Sequence, residues 1–538
     1  MPSPVPGAIA FVFLLAAAVT YPVSLVILAV YRRAVRRSMR QRNQPERARH
    51  TASTMTPDGP AELLSGDPAA LVSEMRRRPW MVAGAYAAAG LAYGAAMAAV
   101  WLTNSAEWGG TIRFVLLATI FAWPAVLTTG IVATSSRRAH VAISMAYLAG
   151  LVVLGWVGAL GAPEGLLAGL LPWAMFNGPA TILMLAFLSR RIRAVGPLVF
   201  AFTLPALSGA VIIFTLLAAS DDLLRAALVL LPDDLGPRGA LLALTGTGAL
   251  LFTTIAWAVL QWIRRCYEAK VLSDEAVSVA ALWLTFAVAH AIYPLLQPTP
   301  AVLLTPLPFA AFVLVFSVTL SRMGPYRGTP PQLLLLRSFA IGTEGERLFD
   351  ALEKHWRRVG SIQMIAGYDL ASRTVEPHEL LDFVTGKLAR RFIDGPETLE
   401  RRLREMDLAP DRDGRFRVND FFCYDDAWRM VLSTLVGRSH AVLMDLRGFT
   451  RANAGCIFEI QALGRTMAIE QVVFVIDTAT DEPLLQSTLR VATADAGAIV
   501  EPEVFRLDTL TPRSMNALLE LLATAAHHPM RAPAVRAE

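Results

Sequence analysis

A chain of 538 residues that is 54% hydrophobic and only 17% charged, with a net charge of +5 and a mean hydropathy of +0.47, is too apolar to be water-soluble throughout. Lipid is the solvent for much of it. About 25 positive and about 30 negative residues from Pro331 onward leave about +10 on the part before it. The pI near 9.3 therefore reports basic membrane loops facing anionic headgroups and gives no reason to expect nucleic acid.

Apolar runs of about 20 residues, the length that crosses a bilayer, predict about nine spans: 7–30, 80–102, 113–134, 140–161, 166–188, 197–219, 239–263, 276–296 and 300–320. Arginines crowd every second loop: Arg32 to Arg49 and Arg76 to Arg78, then Arg137 and Arg138, Arg190 to Arg193, Arg264 and Arg265, and Arg322 and Arg327. Because positive loops stay inside, this predicts a multi-pass inner-membrane protein with its N-terminus outside, a basic cytoplasmic loop at 31–79 and a cytoplasmic C-terminal domain. The first span has its arginines after the apolar core and no basic segment before it, so it reads as a retained anchor and not a signal peptide. The stretch 220–239 reads as a short interfacial helix bounded by paired aspartates, with a cation site as the alternative. His290 is almost the only ionisable residue at membrane depth, which disfavours an ion-coupled transporter. Gly84, Gly90 and Gly94 favour close helix packing.

Near residue 325 the solvent changes. Short apolar runs at 333–336, 362–366, 441–444, 472–476 and 504–507 alternate with amphipathic helices. This predicts a parallel five-stranded α/β domain over 331–525, followed by a disordered tail at 526–538. The stretch 370–420 reads as a charged, largely helical insertion: a solvated face, or a docking arm. Cys266, Cys423 and Cys456 have no metal-ligand spacing, so no metal site is expected. Lys appears only at 270, 354 and 387, an arginine bias typical of GC-rich bacterial genomes. In parallel sheets ligands gather beyond the strands' carboxyl ends. That edge holds Arg337, Ser338, Phe339, Tyr368, Asp369, Asp445 and Arg447, with Asn453 at the start of the next helix. Neither GxGxxG nor a Walker lysine is present, which disfavours a dinucleotide dehydrogenase or a phosphate-loop ATPase.

Leu336-Arg337-Ser338-Phe339, the strand Ala441 to Asp445 and the run Cys456-Ile457-Phe458-Glu459 resemble the first-strand signature, third strand and Cys-x-x-Glu helix of a Toll/interleukin receptor (TIR) domain. The resemblance covers about 332–525 in fold order and about ten residues in motif. Where the family often has Ser-x-Trp-Cys, this chain reads Asn453-Ala454-Gly455-Cys456. The resemblance implies a flavodoxin/TIR-like sheet, self-association or binding of other signalling domains, and a role for Glu459 as the glutamate that enzymatic members need to cleave the nicotinamide–ribose bond of NAD. NAD would then be a substrate and no cofactor is implied. Read without the family, Glu459 is either a ligand-facing carboxylate or an acidic residue complementing the helix dipole. Three functions follow as expectations: membrane signalling or defence through association, NAD or nucleotide glycohydrolysis, and transport with a regulatory domain. Glu459 is expected to face a cleft formed by Ser338, Tyr368 and Arg447 at the strands' carboxyl ends, and Glu459→Gln to abolish cleavage if the domain is an enzyme.

Overall fold

In lipid a backbone must satisfy its own hydrogen bonds, so the apolar runs before residue 325 form helices. A computed structural model describes residues 5–40, 66–103, 110–134, 137–159, 195–229, 236–296, 303–324, 326–337, 343–366, 377–386, 388–424, 427–494 and 502–529, with scattered positions between them. The helices are α1 (Val5–Arg40), α2 (Pro68–Thr103), α3 (Gly110–Ala122), α4 (Pro124–Ala133), α5 (Arg137–Ala159), α6 (Gly196–Ala219), α7 (Asp221–Val229), α8 (Gly236–Glu268), α9 (Asp274–Leu296) and α10 (Leu307–Met323). Five of them, α1, α2, α5, α6 and α8, are long and apolar enough to cross a membrane; α3 and α4, bent by 44° at their junction, make a sixth if they form one span. The chain is thus a multi-pass membrane protein. Of the nine predicted spans, the fifth lies largely outside the described residues. The eighth and ninth fall on α9 and on the 17-residue α10, which are not among the five.

Small residues set the helix spacing. A Cβ on Gly94 would lie 2.4 Å from the Ala118 carbonyl oxygen, and one on Gly90 would lie 2.6 Å from Ala125 Cβ, whereas Gly84 has nothing within 4 Å. His290 is buried, its Nδ1 3.0 Å from the Tyr93 hydroxyl and its ring 4.8 Å from that of Phe121. The histidine thus sits in an aromatic packing cluster.

The soluble part comprises β1 (Gln332–Arg337), α11 (Thr343–Trp356), β2 (Ser361–Ala366), α12 (Pro377–Val384), β3 (Phe392–Ile393), α13 (Pro396–Arg404), β4 (Val418–Cys423), α14 (Trp428–Val436), β5 (Ala441–Asp445), α15 (Ala454–Thr466), β6 (Val472–Ile476), α16 (Glu482–Ala494), β7 (Glu503–Arg506) and α17 (Pro512–His527). All strands are parallel, in the order β3-β4-β2-β1-β5-β6-β7. The predicted count of five is therefore corrected to seven. β3 and β4 come from the 370–420 stretch, where Asn419 and Asp420 interrupt the apolar run and β3 has only two residues. The closing helix also runs to His527, into the predicted tail, while 530–538 lies outside the described residues.

Strand alternation divides the core into two layers. Leu334, Leu336, Val442, Met444, Val472 and Phe474 face α13, α14, α15 and α16. Leu333, Leu335, Ala441, Leu443, Val473 and Val475 face α11 and α17. A third helix completes the second layer. It is the N-terminal part of α2, whose Leu71, Val72 and Met75 belong to the same cluster. One helix therefore serves both the bundle and the α/β core.

Candidate functional site

The winding reverses between β1 and β5, so the ligand-binding edge predicted by topology lies at their carboxyl ends, where Arg337 is in register with Asp445. Ser338, Phe339, Tyr368 and Asp369 lie outside the described residues. Asp445 and Arg447 form a closed bidentate pair there: Arg447 Nε donates to Asp445 Oδ1 at 2.8 Å and Nη2 to Oδ2 at 2.7 Å, with both side chains buried. The next turn needs Gly448 at φ +66°. Its N–H donates to Asp477 Oδ1 at 2.9 Å, so the strand-end Asp477 braces the turn. Asn453, just before α15, accepts from the Thr450 N–H at 2.9 Å.

Glu459 is placed differently. Cys456, Ile460 and Leu463 on α15 point into the sheet core, Phe458 meets Trp428 of α14 edge-on at 5.3 Å, and Gly464 abuts Ala492 of α16. At 100° per residue Glu459 lies about 60° around from Cys456, on the Phe458 side, so it occupies the flank of α15 toward α14. It is 6% exposed, and its Oε2 has no hydrogen-bond partner among the described residues. Burial pushes its carboxyl up to about 8. At neutral pH it is largely protonated, a hydrogen-bond donor or general acid; a cationic ligand beside it would draw it back toward the carboxylate. The described residues record no contact between Glu459 and Arg447. The structure brings Asp445 and Arg447 together.

A second cluster lies at the opposite, amino edge of the sheet, against the bundle. Arg358 Nη2 donates to both oxygens of Glu275 at 3.1 Å, and Arg415 Nη1 lies 3.0 Å from Glu275 and 3.2 Å from Asp274. Arg415 Nη2 reaches Glu353 at 2.7 Å, and Arg357 lies 3.3 Å from Asp274 and also bonds Glu353. Asp274 and Glu275 open α9 after Ser273, whose Oγ caps the helix by accepting the Ala276 N–H at 3.0 Å and donates to Asp413 Oδ2 at 2.7 Å. The acids thus sit where the helix dipole favours them and turn that end toward three guanidiniums. Beside them Lys270, early in the α8–α9 turn, takes φ +59°, rare for a residue with a Cβ. Its carbonyl accepts from Arg412 N at 2.9 Å, and its ammonium bonds Asp407. Arg417 lies 3.8 Å over the Tyr267 ring and 2.7 Å from Asp411, whose carboxyl burial pushes up to about 6.

Other contacts hold the same end. Pro79 has no N–H to give the Met75 carbonyl, and His355 Nδ1 occupies that acceptor at 3.2 Å. Lys354 donates to the Ile131 and Thr134 carbonyls at the end of α4, where a helix leaves acceptors unpaired. Arg264 of α8 pairs with Asp382 of α12 at 3.3 Å, and Phe383 meets Tyr31 of α1 edge-on at 5.4 Å. The 370–420 stretch therefore docks on the bundle.

The sequence does carry signals for this cluster. Ser273-Asp274-Glu275 is an N-cap followed by two acids, and Arg415-Phe416-Arg417 alternates charge with an apolar residue at a strand's entry. No family model and no curated protein matched the chain when it was compared with both.

Proposed function

We propose that the protein is a membrane signalling or defence protein in which the helix bundle communicates with a TIR-like α/β domain, and that this domain responds by associating with a like domain or partner. The observation that carries the reading is α11. Its last turn and the two residues after it contact α2, α4 and α9 through His355, Lys354, Arg357 and Arg358, and its first turn follows the carboxyl end of β1. A helix of 14 residues, about 21 Å long, thereby joins the bundle to the predicted ligand edge. Sidedness fits the same reading. Arg32 to Arg37, Arg264 and Arg265, and Arg322 near the ends of their helices, and Arg76 to Arg78 within α2, lie on the side of the soluble domain, as expected if that side is cytoplasmic and about nine spans put the N-terminus outside.

A second reading, NAD or nucleotide glycohydrolysis, is favoured by one feature: Glu459, on the helix after β5, is a buried carboxyl with one oxygen unpaired among the described residues. Drawn back to the carboxylate by the cationic nicotinamide ring of bound NAD, it would stabilise an oxocarbenium-like state or orient the ribose hydroxyls. One experiment separates the two. Full-length protein is reconstituted in liposomes at increasing density, with energy transfer between labelled α/β domains and release of nicotinamide from NAD followed together. Association with no release supports the first reading. Release that is lost in Glu459→Gln while association persists supports the second. No association and no release at any density would refute both.

A further inference from the structure

Where α2 and α10 meet the soluble domain, a cavity of about 240 Å³ opens between Arg78, Met81 and Val82, the last turn of α10, Arg358 and the turn Pro410 to Gly414. Met81, Val82, Leu320 and Met323 make one wall apolar; Arg78, Arg358 and Arg412 make the other basic. The two carboxylates in the lining are already engaged. Asp411 accepts from Arg417 Nε and Nη2 at 3.1 and 2.7 Å, and Asp413 accepts from Ser273 Oγ at 2.7 Å and lies 3.6 Å from Arg358. Arg358 is engaged by Glu275 and Asp413, but Arg78 and Arg412 have capacity to spare. Of its five N–H groups, Arg78 gives Nε to Glu74 at 2.8 Å and one Nη1 proton to the Gly324 carbonyl at 3.5 Å. Arg412 is exposed and makes no ion pair among the described residues. Gly324 and Gly414, at φ +67° and +76°, take conformations that favour glycine and leave the mouth without side chains.

The unmatched character of the cavity is donors and positive charge next to an aliphatic wall, at the level where two helices leave the apolar segment. We propose that this cavity binds the phosphate of an amphiphile: a glycerophospholipid headgroup held by Arg78 and Arg412, with the first carbons of its chains against Val82 and Leu320. Guanidinium forks match phosphate oxygens bidentately. At about 240 Å³ the space falls below the roughly 300–1,000 Å³ of sites that enclose a drug-sized ligand, which suits a headgroup and excludes a whole dinucleotide. Arg358 links the site to the Glu275 cluster, so a phosphate here bears on the contact between bundle and domain. The assignment holds whether or not the domain signals.

The test uses purified full-length protein in an uncharged maltoside detergent and titrates short-chain phosphatidic acid, short-chain phosphatidylcholine and inorganic phosphate, with binding read by native mass spectrometry. Saturable binding of phosphatidic acid is expected. Arg412→Gln, which removes the unpaired charge, and Ser321→Trp, which fills the mouth, are each expected to weaken it by about tenfold or more. Both positions are exposed, and an unchanged elution volume confirms folding. Equal binding of phosphatidylcholine, or binding of phosphatidic acid that neither variant weakens, would overturn the proposal. Inorganic phosphate binding as tightly as the lipid would overturn the lipid as the source of the phosphate.

Discussion

Replacing Glu275 by alanine removes the carboxylate that Arg358 grips through both oxygens and that Arg415 touches at 3.0 Å. These guanidiniums are 3% and 6% exposed, so water cannot take the place of the lost partner. Breaking a buried pair from one side costs about 3–5 kcal/mol. Here the cost falls at the lower end, because Arg358 keeps Asp413 at 3.6 Å and Arg415 keeps Glu353 at 2.7 Å and Asp274 at 3.2 Å. A loss of about 3 kcal/mol corresponds to about a hundredfold more frequent local opening of the segment that carries Arg415. Amide hydrogen exchange of the full-length protein in detergent, read on peptides covering 407–417 and 268–276, measures that opening. Glu275→Gln, which keeps one acceptor oxygen and the shape, is expected to show about tenfold. Exchange in Glu275→Ala within twofold of the wild type would refute the idea that this cluster holds the domain to the bundle.

Three further outcomes are expected. Because burial holds Glu459 at about 8 in the folded protein against 4.5 for an ordinary glutamate, the folded state binds the extra proton between those values, and stability falls as pH rises through that window by about 5 kcal/mol; Glu459→Gln flattens the thermal midpoint between pH 5 and 8, and an equal slope in both proteins would count against a buried, protonated acid. Leu71→Ala, at a position 3% exposed in the layer shared with α11 and α17, costs about 2–5 kcal/mol and loosens the α/β domain, read as faster exchange in α17; a fragment of 330–538 gains stability when 66–79 is fused to it. Gly94→Ala meets the Ala118 backbone and lowers the yield of folded protein in detergent, while Gly84→Ala, in open space, leaves it unchanged.

The strands buried on both faces are legible in the sequence because an unbroken apolar run of four or five residues is stable only where both sides of the chain are covered. Leu333 to Leu336 and Val472 to Ile476 divide their side chains between two clusters, as that pattern requires. β4 is not legible. Its Phe421 and Phe422 are fully buried, yet Asn419 and Asp420 sit in the same strand and are buried too, with Asn419 Oδ1 accepting the Asp407 N–H at 2.8 Å. A polar residue whose partner comes from another loop reads as solvated until the tertiary contact is known. The same limit hides the interface: Arg357, Arg358, Arg415 and Arg417 look like a surface charge run, and only the fold brings Asp274, Glu275 and Asp411 to them. At the candidate ligand edge, strand order is enough to group Asp445 with Arg447, but two residues of one turn satisfying each other is a matter of rotamers, which pattern does not encode.

The orientation of the sheet on the bundle follows from chain connectivity. α10 ends at Met323 and β1 begins at Gln332, a link too short to carry the chain around the domain, so the amino end of β1 stays near the membrane. Every parallel neighbour then places its amino end there as well, and every helix returning from a carboxyl end finishes there. That is why the end of α11 and the two residues after it bring Lys354, His355, Arg357 and Arg358 to the bundle, and why β4 enters beside Arg415 and Arg417. The carboxyl edge, with the buried pair Asp445 and Arg447, lies at the opposite end of the strands. A parallel sheet attached by its first strand thus commits its amino edge to contact with the bundle. A shift of α2, α4 or α9 would reach the sheet through the α2 residues packed in its core and through the end of α11 with the two residues after it, which contact all three.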